Sequence, residues 1–112
     1  MSEGKPRELE EYLMANGESP FATWLRSLKD KRARARIRLR LDRLSLGNLG
    51  DCDAVGGGVL ELRLHFGPGY RIYVAEDGPT IVLLLCGGIK RSQRLDIKAA
   101  QEYWRDYKRR KP

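Results

Sequence analysis

The sequence predicts an α+β fold, a small antiparallel sheet in the order β-α-α-β-β-β-α with an N-terminal helical hairpin on one face. Three observations predict it. Apolar residues recur at helical spacing between Phe21 and Leu44, then at every second position from about Leu60 to Val74. Gly67-Pro68-Gly69 and Asp77-Gly78 place two tight turns in that second stretch. Consecutive strands joined by such turns form an antiparallel meander, whose apolar face the helices must cover. At 112 residues one domain, 1–112, is the default. Roughly two-thirds of the unfolded surface can be buried at that size, so no disulfide or metal staple is needed.

The elements follow in order. Residues 7–13 (RELEEYL) alternate weakly and predict a short edge strand, which Asn16-Gly17 breaks. Ser19-Pro20 is an N-cap followed by proline at the first helical position, and Phe21, Trp24, Leu25 and Leu28 follow at helical spacing. Asp30 can cap a second helix over 31–45, with Ala33, Ile37, Leu41 and Leu44 as its apolar stripe and Gly47 to end it. Arg32, Arg36, Arg40 and Arg43 run down another side of that helix. Residues 47–58 read as a loop. In 59–66 (VLELRLHF) Leu60, Leu62, Leu64 and Phe66 point one way, and Glu61, Arg63 and His65 the other. Residues 70–75 continue the alternation, with Arg71, Tyr73 and Ala75 opposed to Tyr70, Ile72 and Val74. Residues 80–86 are apolar on both faces, the mark of a strand inside a sheet, and Gly87-Gly88 is expected to terminate it. A last helix over about 92–108 carries Leu95, Ala99 and Tyr103 four apart with Trp104 alongside, and 108–112 form a basic tail. With the hairpin on one face, the other face of the meander is expected to stay partly open, carrying Glu61, Arg63, His65, Arg71 and Tyr73.

Composition narrows the function classes. Hydrophobic residues at 41% with 33% charged describe a soluble globular chain. The longest apolar run, 81–86, is far too short to span a membrane, and the first residues lack the apolar core of a signal peptide. Cys52 and Cys86 form no CxxC and there is one histidine, so neither metal nor other cofactor is expected, and a reducing cytoplasm fits. The net charge is +7, held in two blocks: nine basic against two acidic residues in 21–50, and eight against three in 91–112. Such blocks suit a polyanionic partner or a solvated helix face.

Candidate chemistry lies in the nearly neutral middle. Arg63 and His65 stand two apart on one strand, roughly 7 Å from each other. If the Gly67-Pro68-Gly69 turn pairs its strands, Arg71 and Tyr73 come within cross-strand reach. Two guanidiniums, an imidazole and a phenol suit a phosphodiester: arginine holds phosphate and stabilises developing charge, and histidine moves a proton near neutrality. Tyr73 can stack on a base, and Lys90, with Arg91 beside it, adds phosphate contacts beyond the third meander strand. Each residue also has a structural role open to it: Arg63 can pair with Glu61, His65 can be hydrogen-bonded, Tyr73 can cover the sheet, and Lys90 can position the last helix.

The segments WLRSLKDKRARARIRLRLDRLSLGNLGD, GVLELRLHFGPGYRIYV and IVLLLCGGIKRSQRLDI resemble the HigB/RelE-like toxins of bacterial toxin–antitoxin modules, and more narrowly the phage-related subgroup of putative addiction module killer proteins. The resemblance covers about 21–100. It implies the RelE/ParE superfamily fold and a ribosome-dependent mRNA endoribonuclease (mRNA interferase) that needs no metal, in which a 2′-hydroxyl attacks the adjacent phosphate. It implies catalytic roles for Arg63, Arg71 and Lys90, to which the residue chemistry adds His65 as proton carrier. RNA contacts are expected from Tyr73, Arg91, Arg36 and Arg40. Gln93 and Asp96 fall within the subgroup's C-terminal string, with capping or orienting the last helix as their expected role. The stretch RSQRLDI lacks the tyrosine that related toxins often place there. The implied partners are the ribosome and its mRNA, a cognate antitoxin of helix-turn-helix, HigA-like type, and operator DNA through that antitoxin. The alternative is a non-catalytic toxin-like binder, either a gyrase-directed ParE-like toxin or a DNA-binding co-repressor.

Overall fold

The computed structural model describes residues 4–112 as a mixed five-stranded sheet with three helices. The elements are β1 (Glu8–Glu11), α1 (Pro20–Ser27), α2 (Lys31–Ser45), β2 (Cys52–Ala54), β3 (Val59–Leu64), β4 (Tyr70–Asp77), β5 (Ile81–Ile89), a 3-10 turn (Lys90–Ser92) and α3 (Gln93–Arg110). The strand order is β1-β5-β4-β3-β2.

Local chemistry sets the helix ends. The Ser19 hydroxyl accepts the Ala22 N–H at 3.0 Å, and Pro20 opens α1. Asp30 accepts the Arg32 N–H at 2.9 Å at the start of α2. Gly47, with φ of +93°, follows its last turn. The apolar stripe behaves as expected: Ala33, Ile37 and Leu44 are fully buried.

Four expectations are corrected. The sheet is not purely antiparallel, because edge strand β1 runs parallel to β5, with Glu8 opposite Ile81. No turn joins these two strands, so nothing local encodes their direction. The loop expected over 47–58 contains β2, antiparallel to β3 with Asp53 opposite Glu61. Three residues are too few to display a period of two. Gly87 and Gly88 do not end the third meander strand but lie inside β5. A Cβ on Gly87 would overlap the Trp24 indole of α1, and one on Gly88 would overlap the Asp96 carboxylate of α3. The pair is a flat place where both helical layers close on the strand.

The fourth correction matters most for function. The second face of the meander is not open; α3 covers it. On one side α1 and α2 pack Phe21, Ala33, Ile37 and Leu44 against Leu62, Ile72, Val74 and Val82. On the other, Ala100 and Trp104 of α3 pack against Val59, Tyr73, Ala75, Leu83 and Leu85. The inward side of α3 carries Ile97, Ala100, Tyr103, Trp104 and Tyr107, so Tyr103 and Trp104 pack inward as expected whereas Leu95 is 73% exposed. The helix is turned so that the indole, not Leu95, meets the sheet. Each fully buried Val, Leu, Ile or Phe side chain in these two layers contributes about 1.5–3 kcal/mol.

Candidate functional site

The β3–β4 hairpin carries the candidate site. Its strands pair with Arg63 opposite Arg71 and Glu61 opposite Tyr73. Gly69, at φ +80°, brings the turn against the end of β5: the Lys90 N–H donates to the Pro68 carbonyl at 3.4 Å. A Cβ on Gly69 would stand 3.1 Å from the Lys90 Cβ and 2.7 Å from Nη1 of Arg71, so the approach requires glycine twice over, for conformation and for space. A groove of about 470 Å³ results, lined by Leu64, His65, Phe66, the turn, Arg71 and Lys90. Arg71 is buried but reaches this groove, and its Nη1 donates to the Gly69 carbonyl at 2.7 Å. A cationic fork is thereby aimed before any ligand arrives.

Arg63 lies in different surroundings from those its sequence position suggests. Its guanidinium donates to Asp51 at 2.8 Å and to Asp53 at 2.7 Å, and stands 3.6 Å from Glu61. Its charge is therefore balanced by carboxylates, and its pKa is held above the ordinary arginine value by the hydrogen bonds to Asp51 and Asp53. His65 is not on the strand, which ends at Leu64; its ring is 73% exposed and its Nε2 contacts the Asp51 carboxylate. Arg63 first and His65 second hold the Asp51 carboxyl far below the usual carboxylate range. The chain Arg63–Asp51–His65 thus joins the two residues through a third that sequence reasoning missed. Its only sequence signal is a pair of aspartates flanking Cys52, whose place opposite Arg63 depends on the unrecognised strand β2.

Tyr73 is corrected outright. It is fully buried under α3 and cannot stack on a base. Its hydroxyl donates to Glu61 at 3.0 Å, and burial first, then the Glu61 charge, push its pKa well up. Glu61, 1% exposed, also accepts from Gln93 Nε2 at 2.8 Å and stands 3.9 Å from the Arg71 Nε. This buried carboxylate is the hub that ties β3, β4 and the first turn of α3 together behind the groove. Gln93 and Asp96 accordingly orient α3: Gln93 through Glu61, Asp96 by accepting the Ser92 hydroxyl at 2.5 Å.

The α2 arginines divide. Arg40 donates to the carbonyls of Arg63 at 2.6 Å, Leu49 at 3.1 Å and Asp51 at 2.7 Å. It fastens the segment before β2 to β3, and burial lowers its pKa; its two terminal nitrogens make three bonds to backbone, a structural role beside the expected RNA contact. Arg36 lies over the Phe66 ring, 4.6 Å from its centroid. Together with Arg43 it lines an adjoining depression of about 490 Å³ that shares His65 and Phe66 with the first groove. Arg91 is exposed in the turn after β5. The structure therefore brings together His65, Arg71 and Lys90 in one groove, lines the adjoining depression with Arg36, Arg40 and Arg63, and sets Tyr73 behind them as a support.

Among the described residues no group of three or more His, Cys, Asp or Glu side chains is placed to hold a metal, and no helix is long and apolar enough to cross a membrane. What the groove can do is hold an oxyanion between two cationic side chains beside an imidazole. No protein-family model matches the chain. It is 47% identical over 81 residues to a protein of Haemophilus influenzae described as uncharacterized, across 72% of this chain and 82% of that relative.

Proposed function

The chain belongs to the same family as that Haemophilus influenzae protein, and we propose that it is an endoribonuclease toxin of the RelE/HigB type, with a RelE/ParE-like topology, that cleaves mRNA on the ribosome. The observation that carries the reading is the convergence of His65, Arg71 and Lys90 on one groove at the tip of the β3–β4 hairpin. Arg71 and Lys90 hold the scissile phosphate and stabilise the charge that grows on its oxygens. His65 takes the proton of the 2′-hydroxyl as O2′ bonds to phosphorus and the P–O5′ bond breaks. The products are a cyclic phosphate and a 5′-hydroxyl, whose oxygen takes its proton from solvent. Arg63 acts behind the groove as a clamp. The basic face of α2 is the surface for ribosomal RNA, and a helix-turn-helix antitoxin and its operator are the regulatory partners.

With a single histidine and no second proton carrier in the groove, positioning by the ribosome supplies much of the rate. Free RNA is a poor substrate on this reading. The test is expression from a tight promoter with mapping of mRNA 5′ ends. New ends in phase with codons support cleavage on the ribosome, and Arg71→Ala abolishes them. Growth arrest with intact mRNA and damaged DNA sinks the reading in favour of a gyrase-directed binder.

A further inference from the structure

We propose that Asp51, clamped by Arg63, sets which nitrogen of His65 faces the groove: Nε2 carries the proton and points at Asp51, leaving Nδ1 as the open acceptor. Three observations carry this. The Asp51 carboxylate accepts from Arg63 on both oxygens, Oδ1 from Nη2 at 2.8 Å and Oδ2 from Nε at 3.4 Å, so its plane is fixed by a forked contact. Oδ2 also meets Nε2 of His65, and a carboxylate can only accept, which requires the proton on Nε2. His65 itself lines both depressions with its ring 73% exposed, and Nε2 is taken by Asp51, so Nδ1 is the ring nitrogen left for a ligand.

The Asp51 carboxyl remains ionised throughout the range in which imidazole titrates, since its pKa is held so low. Asp51 is therefore a positioning residue that acts through His65, and Arg63 positions Asp51. The other charged groups lining the two depressions, Arg36, Arg40, Arg43, Arg63, Arg71 and Lys90, are all cationic. Among the groups lining the two depressions, Asp51 is the lone carboxylate that can select the tautomer.

In the proposed cleavage, the 2′-hydroxyl proton passes to Nδ1 while Nε2–H stays on Asp51, whose negative charge stabilises the imidazolium that forms. That part rests on the function proposed above; the tautomer does not.

The experiment uses full-length protein labelled with ¹⁵N-histidine. Because the chain has one histidine, a two-bond proton–nitrogen correlation reads both ring nitrogens without assignment work. Wild type is expected to show a protonated Nε2 and a bare Nδ1 in the neutral ring. Asp51→Ala mixes the tautomers. In Asp51→Asn the donors of Arg63 hold the amide oxygen, so the NH₂ group faces His65 and the tautomer inverts. In single-turnover assays on programmed ribosomes, Asp51→Asn loses about 100-fold in cleavage rate or more at unchanged ribosome affinity.

A wild-type ring protonated on Nδ1, or Asp51 variants with wild-type nitrogen signals, overturns the inference even if cleavage is observed. Locked nitrogens in a protein that leaves ribosome-bound mRNA intact support it and remove the proposed function instead. Asp51 is 42% exposed in its side chain and lies outside both apolar layers, so these variants should fold.

Discussion

Glu61→Ala is the substitution from which the structure predicts most. The carboxylate is 1% exposed and accepts from Tyr73 at 3.0 Å and Gln93 at 2.8 Å, with guanidiniums of Arg63 and Arg71 at 3.6 and 3.9 Å. Removing it leaves the fully buried Tyr73 hydroxyl without an acceptor, a cost of about 1–3 kcal/mol. It also leaves the nearly buried Arg71 charge without its counter-ion, and breaking a buried pair from one side costs about 3–5 kcal/mol in total. Against the ~5–15 kcal/mol that holds a domain of this kind together, the loss is a large fraction of the margin. Urea titration followed by circular dichroism measures it as a fall in midpoint at constant slope. Tyr73→Phe in the Glu61→Ala background removes the stranded hydroxyl and recovers ~1 kcal/mol or more. The double-mutant cycle should give a coupling of about 1–3 kcal/mol. A Glu61→Ala loss below ~1 kcal/mol, or additive single effects, would refute the view that this buried polar hub pins α3 to the sheet.

Two more outcomes are expected. Gly69→Ala forces an alanine to φ +80° and drives its Cβ to within 2.7 Å of Nη1 of Arg71. It should cost ~1–2 kcal/mol in unfolding experiments, yet cut cleavage roughly 100-fold by displacing Arg71 and Lys90; unchanged cleavage would detach the turn from the site. The Tyr107 hydroxyl donates to Asp77 at 2.6 Å, and that bond first, with burial, pushes its pKa up to about 12 from 10.0. A folded value above the unfolded one means stabilisation that is complete below 10.0 and lost as pH rises towards about 12. Tyr107→Phe should therefore be less stable than wild type at neutral pH, and thermal midpoints should show the gap closing across that alkaline window.

Local chemistry was legible wherever a few adjacent residues decide the outcome. Ser19-Pro20 and Asp30 cap their helices as expected, Ala33, Ile37 and Leu44 are buried, and the Gly67-Pro68-Gly69 turn pairs Arg63 with Arg71. The candidate groove was partly legible for the same reason: Arg71 lies next to a turn whose geometry a short string specifies. What was misjudged depended on segments distant in sequence. Tyr73 and Glu61 have the alternation of an exposed face, and only the docking of α3 buries them. Gly87-Gly88 has the composition of a break, and only the indole and carboxylate on either side show it to be a point of close packing.

The amino-acid sequence by itself determined the three helices, the caps of α1 and α2, the three meander strands and the parity of the basic residues within them, because those follow from backbone sterics and a two-residue period. The tertiary structure alone decided which of those residues keep their charge available. Arg63 meets Asp51 and Asp53 across twelve and ten positions, Arg40 is drawn onto three carbonyls, and His65 acquires Asp51. Burial and ion pairing depend on distance in space, and a one-dimensional pattern specifies that distance only within an element.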